Sequence, residues 1–256
     1  MSPSSHPLGI IAALPEEITH LGGALAVDET LTRGDIVFRR GWLDGRPVVV
    51  AEGGIGKVNS ALVAALLLDH FACRSLLFTG VAGGLDPSLQ IGDVVVADRL
   101  IQHDYGAIVD RRIRRFRPGV PPFGEPRDQL AYHLDPALRD ALAGALREID
   151  LPPLPAVAIG GLARVPLVRF GTVLSGDQFI NCIATREELF ATFAAQAVEM
   201  EGAAIAQVAE RYGATCVVVR CLSDLAGADS HVDFQSFLSA AAETAARVVR
   251  RLIPVL

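Results

Sequence analysis

Short runs of β-branched and aliphatic residues alternate with stretches of helical character along the chain, and this alternation constrains the fold most. The predicted strands cover residues 8–13, 36–40, 48–51, 76–79, 94–97, 168–174 and 217–220. The predicted helices cover residues 15–21, 57–71, 136–149, 187–194, 201–212 and 233–253. Strands separated by helices are typical of α/β proteins.

Two of the predicted strands differ from the rest in their pattern. Residues 76–78 and 217–219 are apolar without alternation, as expected of strands that helices cover on both faces. Asp44-Gly45 lies between two strand-like segments and predicts a β-hairpin, which requires antiparallel strands. The sheet is therefore expected to be mixed. The helix at 57–71 is apolar on nearly all sides, which predicts a central position.

Size and charge narrow the class of protein. The chain has 256 residues, of which 51% are hydrophobic, so it can bury a sizeable core as one large domain. Its 23 basic and 29 acidic side chains give a net charge of −6. No global positive field attracts nucleic acid or an anionic membrane surface, so a small or neutral ligand is the better expectation.

The four cysteines show no CxxC spacing and no pairing with a nearby histidine, so neither a metal site nor a redox motif is indicated. Reduced thiols of a cytoplasmic protein are expected. The longest apolar run, residues 61–68, is well short of the roughly 20 residues that a membrane span requires. We therefore expect no metal, no organic cofactor and no membrane or nucleic-acid partner.

Residues 110–126 contain five arginines and four prolines. An arginine cluster could bind phosphate or nucleic acid. Arginines spaced by prolines in a long connection favour a solvated loop or a lid instead.

Three predicted strands are followed by segments that suit a ligand. Residues 52–57 are glycine-rich but lack the spacing of a P-loop or a dinucleotide motif, so a ligand contact and a tight turn both stay open. Residues 79–85 are mostly small, which leaves space above the end of a central strand. Residues 175–181 carry Phe179, which could stack on a flat heterocycle or pack in the core.

Charged residues follow two further strands. Glu199 and Glu201 bracket Met200, and two such carboxylates are costly unless they face water or a polar ligand. Taken singly, either glutamate is more often a surface charge or a residue at the start of a helix, where the helix dipole favours it. Arg220 and Asp224 lie at the carboxyl end of a buried strand, where they could form a ligand site or an internal ion pair with each other.

Together, in this order, these segments resemble the nucleoside phosphorylase/nucleosidase superfamily, and most closely the 5′-methylthioadenosine/S-adenosylhomocysteine nucleosidases. The resemblance runs from Gly9 to about Leu252 and is weak between Tyr105 and Leu167. It is strongest at GIIAALPEEI, GGIGKVNSALVAALLLDHF, TGVAGGL, IGDVVVAD, SGDQFIN, VEMEGAAIAQV and VVVRCLSD. It implies a single domain over 1–256, with a core at 8–253 and a divergent, loop-rich 105–167. The implied architecture is a three-layer α/β/α fold with a central mixed β-sheet.

The resemblance also implies the catalytic residues. Glu17 would be the general base for water, Asp224 would protonate or hydrogen-bond adenine N7, and Glu201 would accept hydrogen bonds from the ribose hydroxyls. Such groups suit the cleavage of an N-ribosidic bond through an oxocarbenium-like sugar.

The resemblance assigns the substrate-binding residues in the same way. Phe179 would stack on adenine, the backbone of Ile180 would read its edge, Met200 would pack on the sugar, Ser223 would support Asp224, Arg220 would position water or Glu201, and Ile55, Leu14 and Phe234 would line the pocket for the 5′ substituent. A homodimer is implied, in which the neighbouring subunit completes that pocket.

Features of the motifs favour hydrolysis over phosphorolysis. Phosphorylases of the superfamily have a GxGxPS-type turn, nearby arginines and a hydroxyl in the small-residue segment. Here Lys57-Val58-Asn59 continues the turn, Glu17 lies on the first loop, and Val81 replaces the hydroxyl. A carboxylate repels phosphate and valine cannot donate to it. Val81 also differs from the serine common in related nucleosidases, and loss of that hydroxyl could loosen the positioning of water or ribose.

Alternatives remain open at this stage. They are a phosphate-dependent purine nucleoside phosphorylase, a nucleosidase for another 5′-modified adenosine such as aminodeoxyfutalosine or an adenosyl-hopanoid intermediate, and an inactive binding or storage protein on the same fold. The intact set Glu17, Glu201 and Asp224 argues against the last, because buried carboxylates are costly without a function.

Overall fold

The computed structural model describes residues 6–12, 25–123, 130–154, 163–227 and 234–256, with side chains from 241 onward in the last range except at 242. The described strands are β1 (Leu8–Ala12), β2 (Leu25–Arg33), β3 (Ile36–Leu43), β4 (Arg46–Glu52), β5 (Ser75–Gly84), β6 (Val94–Gln102), β7 (Gly106–Val109), β8 (Arg112–Arg115), β9 (Tyr132–His133), β10 (Val168–Ser175), β11 (Ala197–Glu199) and β12 (Thr215–Asp224). The described α-helices are α1 (Lys57–Asp69), α2 (Pro136–Leu146), α3 (Ile183–Phe193), α4 (Gly202–Tyr212) and α5 (Phe234–Leu252), and a 3₁₀ turn follows at Ile253–Val255.

The main sheet is mixed, as the sequence predicts. Its strand order is β11-β10-β6-β12-β5-β1-β4-β3-β2, with β9 added to β6. Strands β4, β1, β5 and β12 run parallel, whereas β3 pairs antiparallel with β4 across the turn at Asp44 and Gly45. The far end of β5 also pairs with β11, so β11, β10, β6, β12 and β5 close into a barrel-like ring.

Helices cover both faces of the sheet, which confirms the three-layer α/β/α architecture. Alternate residues of one strand enter different cores: Val217 and Val219 join the cluster that contains α2 and α5. Val218 between them joins the cluster that contains α1 and α4. This explains the continuous apolar run at 217–219, because both sides of the strand are buried.

Some predicted elements have different limits in the structure. Helix α3 begins at Ile183, four residues before the predicted start, and α2 ends at Leu146, three residues before the predicted end. Strands β2, β7, β8, β9 and β11 were not predicted. The predicted helix at 15–21 lies outside the described residues. None of the described helices has both the length and the hydropathy needed to cross a bilayer.

Helix α1 is not central on all sides, so that prediction is wrong for one face. Val63, Ala64 and Leu67 are buried in the cluster that α1 shares with α4 and the sheet. On the opposite face Val58 is 80% exposed and Leu62 is 51% exposed. An apolar surface of this kind is typical of a contact with another protein surface.

The arginine-rich segment begins as a β-hairpin, so the prediction of a loop is wrong for residues 110–115. Strands β7 and β8 pair antiparallel across Asp110 and Arg111, whose φ angles of 51° and 62° fit a tight two-residue turn. Two of the arginines dock on the body of the protein. Arg115 donates to the His103 carbonyl over 2.8 Å, and Arg117 pairs with Glu210 on α4.

Candidate functional site

The five motif segments that follow strands meet in one place. The Gly56 N–H donates to Glu201, and the Lys57 N–H donates to Asp177 over 2.9 Å, so the glycine-rich turn joins two other segments. The small-residue segment is part of β5, where Gly80 and Gly83 pair with Arg220 and Asp224 of β12. Small side chains there leave space beside the charged residues.

Arg220 is fully buried and lies between two glutamates. Its Nη2 binds Oε2 of Glu199 and lies 3.4 Å from Oε2 of Glu201. Its guanidinium carbon lies 3.7 Å from the ring centroid of Phe78, which adds a cation–π contact. The alternative of an internal ion pair between Arg220 and Asp224 is therefore wrong, because Glu199 is the principal partner.

Glu199 also accepts hydrogen bonds from N–H groups at the start of helix α4. Its carboxylate accepts hydrogen bonds from the N–H groups of Glu201 and Gly202, over 3.1 and 2.8 Å. Ser175 donates its hydroxyl to Glu199 and accepts from the Ala203 N–H over 2.7 Å. The first N–H groups of a helix have no partner within it, and a carboxylate near them is stabilised by the helix dipole.

Glu201 has fewer compensating contacts than Glu199. Its Oε1 accepts from the Gly56 N–H over 2.9 Å, and its Oε2 accepts from the Met200 N–H over 3.3 Å. Burial, with the Glu199 carboxylate as a second cause, raises the pKa of Glu201 to about 7. Glu201 can therefore change its charge near neutral pH.

Asp224 lies at the end of β12, and it is buried. Its Oδ1 accepts from the Ala226 N–H over 2.7 Å, and its Oδ2 accepts from the Ser223 hydroxyl over 2.9 Å. Gly83 packs directly against it: a Cβ at that position would lie 3.1 Å from Oδ1 and 3.1 Å from the Cβ of Ala226. A glycine here allows the carboxyl group to approach the β5 backbone closely.

A further charged cluster ties two loops together beside the site. The Lys57 ammonium lies 2.7 Å from Asp104 and 3.5 Å from Asp177, and the Asp177 N–H donates to Asp104 over 2.8 Å. Sequence reasoning missed Asp104, because the predicted strand ended at residue 97, whereas β6 continues to Gln102. The ring of the preceding His103 packs against Gly176. Its Nε2 has no hydrogen-bond partner among the residues that the structure describes.

The remaining predicted site residues are in part exposed, in part buried and in part outside the described residues. Phe179 is 60% exposed, so the alternative of a core-packed ring is wrong, and Ile55 is 57% exposed. Ile180 is buried, and Val81 pairs with Cys221 in the sheet. Three predicted residues lie outside what is described: Leu14, Glu17 and the side chain of Phe234.

The C-terminal half of α4 lines a separate cleft of about 310 Å³, together with Tyr132 and Cys216. None of the predicted site residues lines it, so its size alone does not mark it as the site. Across the described ranges, no three His, Cys, Asp or Glu side chains are grouped to hold a metal ion.

The family model described as the phosphorylase superfamily matches residues 7–254. The chain belongs to this superfamily. It is 47% identical over 249 residues to the 5′-methylthioadenosine/S-adenosylhomocysteine nucleosidase of Mycobacterium tuberculosis, with 97% of each chain covered. It is 32% identical over 247 residues to the aminodeoxyfutalosine nucleosidase of Helicobacter pylori, with 96% of this chain and 97% of the relative covered.

A solved superfamily structure has the same fold. The 5′-methylthioadenosine/S-adenosylhomocysteine nucleosidase of Colwellia psychrerythraea, solved in complex with adenine, matches with a TM-score of 0.81 and 30% identity. The match covers 100% of this chain and 98% of that one.

Proposed function

We propose that the chain hydrolyses the N-ribosidic bond of 5′-substituted adenosines and releases adenine. The observation that carries this proposal is the placement of Glu201, Arg220 and Asp224. Glu201 and Arg220 form a buried ion pair, and Asp224 lies four residues beyond Arg220 on the same strand. The 47% identity to a nucleosidase over 97% of both chains supports it.

Asp224 acts on the leaving base. As the C1′–N9 bond breaks, its electron pair moves into the purine, and a proton or hydrogen bond at N7 stabilises the negative charge that develops there. The Ser223 hydroxyl and the Ala226 N–H hold the Asp224 carboxyl group in place.

Glu201 acts on the sugar. A carboxylate accepts hydrogen bonds from ribose hydroxyls, and these bonds strengthen as positive charge develops on the ring. Met200 packs on the sugar, Arg220 positions Glu201 or the attacking water, and Val81 lies near the ribose. Phe179 and the backbone of Ile180 hold the adenine.

Glu17 completes the reaction as the base that takes a proton from water. Ile55, Leu14 and Phe234 line the pocket for the 5′ substituent. Of these, Ile55 directly precedes Gly56, whose N–H donates to Glu201.

Water is a better nucleophile for this site than phosphate. Glu199 and Glu201 share Arg220, so the trio has an excess of negative charge when both glutamates are ionised. Coulomb repulsion in a buried site disfavours a phosphate dianion there.

A second candidate differs only in the 5′ group. The 32% identity to an aminodeoxyfutalosine nucleosidase, over 97% of that relative, supports aminodeoxyfutalosine as the alternative substrate. Adenine and ribose would be held in the same way.

The test is adenine release by the purified protein from 5′-methylthioadenosine, S-adenosylhomocysteine and aminodeoxyfutalosine, with adenosine as a control for the 5′ group. We expect release from at least one of the three at a kcat/KM above that for adenosine. No release from any of the four would overturn the proposal.

We also propose that the chain is a single domain over 1–256, acts as a homodimer and resides in the cytoplasm. An exposed apolar surface supports the dimer: Val58 and Leu62 of α1 lie next to the exposed Ile55 and Phe179 segments, which the Lys57–Asp177 contacts join. A second copy would cover this surface. The four cysteines are free thiols, which fits a reducing compartment.

A further inference from the structure

A single arginine forms ion pairs with two buried carboxylates in this site. The side chains of Arg220, Glu199 and Glu201 are 0%, 2% and 6% exposed. Arg220 makes the close contact with Glu199, and its Nη2 is 3.4 Å from Glu201. Two negative charges and one positive charge in a desolvated space leave one negative charge uncompensated.

Glu199 also accepts more hydrogen bonds from other groups than Glu201 does. Glu199 accepts from the Ser175 hydroxyl and from the N–H groups that begin α4. Glu201 accepts one good hydrogen bond from Gly56 and a longer one from Met200. An ionised carboxylate can accept about four hydrogen bonds. Two of the three that Glu201 accepts, from Met200 and Arg220, are long at 3.3 and 3.4 Å, so hydroxyl donors of a ligand can take their place.

We propose that Glu199 is a positioning residue: it binds Arg220, and this leaves the Glu201 carboxylate available to accept hydrogen bonds from the two hydroxyl groups of a vicinal diol. The inference rests on the proposed function, because that diol belongs to the ribose of the nucleoside. Two hydroxyl donors require the ionised form of Glu201. Binding of the diol is therefore coupled to loss of a proton from Glu201, and affinity rises with pH toward neutrality.

The charges that face Glu201 from the packed elements support this assignment. Strand β11 contributes Glu199 and β12 contributes Arg220. The first residue of α1, Lys57, lies nearby, and its ammonium is held by Asp104 and Asp177. After β6, His103 lies near Glu199, and burial lowers its pKa, which favours the neutral ring. Among the described residues, Glu199 and Arg220 are thus the charges that act on Glu201.

The test measures binding as a function of pH rather than turnover, because a base such as Glu17 also titrates during turnover. The probes are a C-nucleoside of adenine, whose C–C glycosidic bond cannot be hydrolysed, and its 2′-deoxy form. For the native protein we expect the affinity for the ribo form to rise up to tenfold per pH unit below a midpoint of about 7. The 2′-deoxy form should show a weaker rise.

Two variants of Glu199 isolate its role. Glu199→Gln removes the like charge and releases Arg220 to Glu201, so the midpoint should fall by about one pH unit or more. Binding above that midpoint should weaken, because Arg220 then competes with the diol. Glu199→Asp keeps the charge and should keep the midpoint even if its affinity is lower.

The outcomes are distinguishable. A Glu199→Gln protein with an unmoved midpoint, or with the same loss of affinity at every pH, would overturn the inference while leaving the proposed function intact.

If Glu199→Gln does not fold, a measurement on the native protein takes its place. Titration calorimetry near pH 6, in two buffers of different ionisation enthalpy, gives the number of protons that are released when the probe binds. Release of close to one proton with the ribo form, and less with the 2′-deoxy form, supports the inference; no release overturns it. Failure of the native protein to bind either probe contradicts the proposed function itself.

Discussion

Asp224 and Glu201 show at the residue scale how environment assigns different roles to similar side chains. Both are buried carboxyl groups, but Asp224 is bound by a hydroxyl and an N–H, whereas Glu201 lies beside a second carboxylate and a shared arginine. Similar side chains held in different environments can thus carry out different steps of one reaction.

Asp224→Asn tests the group that acts on the base. Asparagine cannot supply a proton, so kcat for adenine release should fall by about 100-fold or more, with a smaller change in KM. Ser223→Ala is the matched control: it removes one hydrogen bond to Asp224 and should lower kcat less. Native kcat in Asp224→Asn would exclude Asp224 as the acid.

Glu201→Gln tests the cost of the buried charge. Burial raises the pKa of Glu201 from 4.5 to about 7, so between these values the folded protein holds a proton that the unfolded chain has lost. Stability therefore falls as pH rises through this window. Glutamine mimics the neutral form, so the variant should be more stable than the native protein at pH 8, by on the order of 2 kcal/mol, and similar near pH 4.5.

Urea unfolding at the two pH values measures that difference. Glu243→Gln, on the exposed surface of α5, is the control, and its effect should be small at both pH values because an exposed ion pair contributes little to stability. A Glu201→Gln protein with the same stability difference from native at both pH values would contradict the account.

At the element scale, the glycines of β5 leave space in the sheet that the site uses. The sequence predicts a strand that ends at residue 79, followed by a small-residue segment, but pairing with β12 and β11 extends β5 to Gly84. The glycines therefore lie inside the sheet, where absent side chains make room for Arg220 and Asp224.

Gly83→Ala tests this use of space. The added Cβ would lie 3.1 Å from the Asp224 carboxyl and from Ala226, so one of them must shift. Turnover should fall by about tenfold or more, because small misplacements of a catalytic group are costly. Gly144→Ala in α2 is the control: nothing lies within 4 Å of the added Cβ, so activity should be native and stability about 0.5–1 kcal/mol higher. Native turnover in Gly83→Ala would contradict the role given to Gly83.

The elements also show which parts of the fold the sequence could predict. Strands buried on both sides, such as β12, have an apolar pattern that depends on local sequence alone, and they were predicted. Strand β2 lies at the sheet edge with mostly exposed residues, so no apolar pattern marks it. Strand β11 has three residues and exists because β10 and β5 pair with it. The pairing of Arg220 with Glu199 likewise depends on contacts between distant segments.

At the scale of the whole molecule, the exposed face of α1 is the feature that a single chain leaves unexplained. Periodicity indicated an apolar helix, and the structure buries only part of it. The same pattern fits a helix covered partly by its own sheet and partly by a second copy.

Leu62→Glu tests the dimer. A charge at this 51% exposed position should convert the protein to monomers in sedimentation velocity, because an unpaired carboxylate is costly in an apolar interface. Val165→Glu is the control, since Val165 is similarly exposed, at 54%, and lies in the connection before β10, away from α1. A dimer that persists in Leu62→Glu, or a native protein that is monomeric, would rule out this surface as the dimer interface.

The most direct test of the central claim is the phosphate dependence of the reaction. Adenine release from the best 5′-substituted adenosine should have the same rate with and without phosphate, and the sugar product should be the free ribose derivative in both cases. Release that requires phosphate, with a ribose 1-phosphate as product, would contradict hydrolysis and make the site that of a phosphorylase.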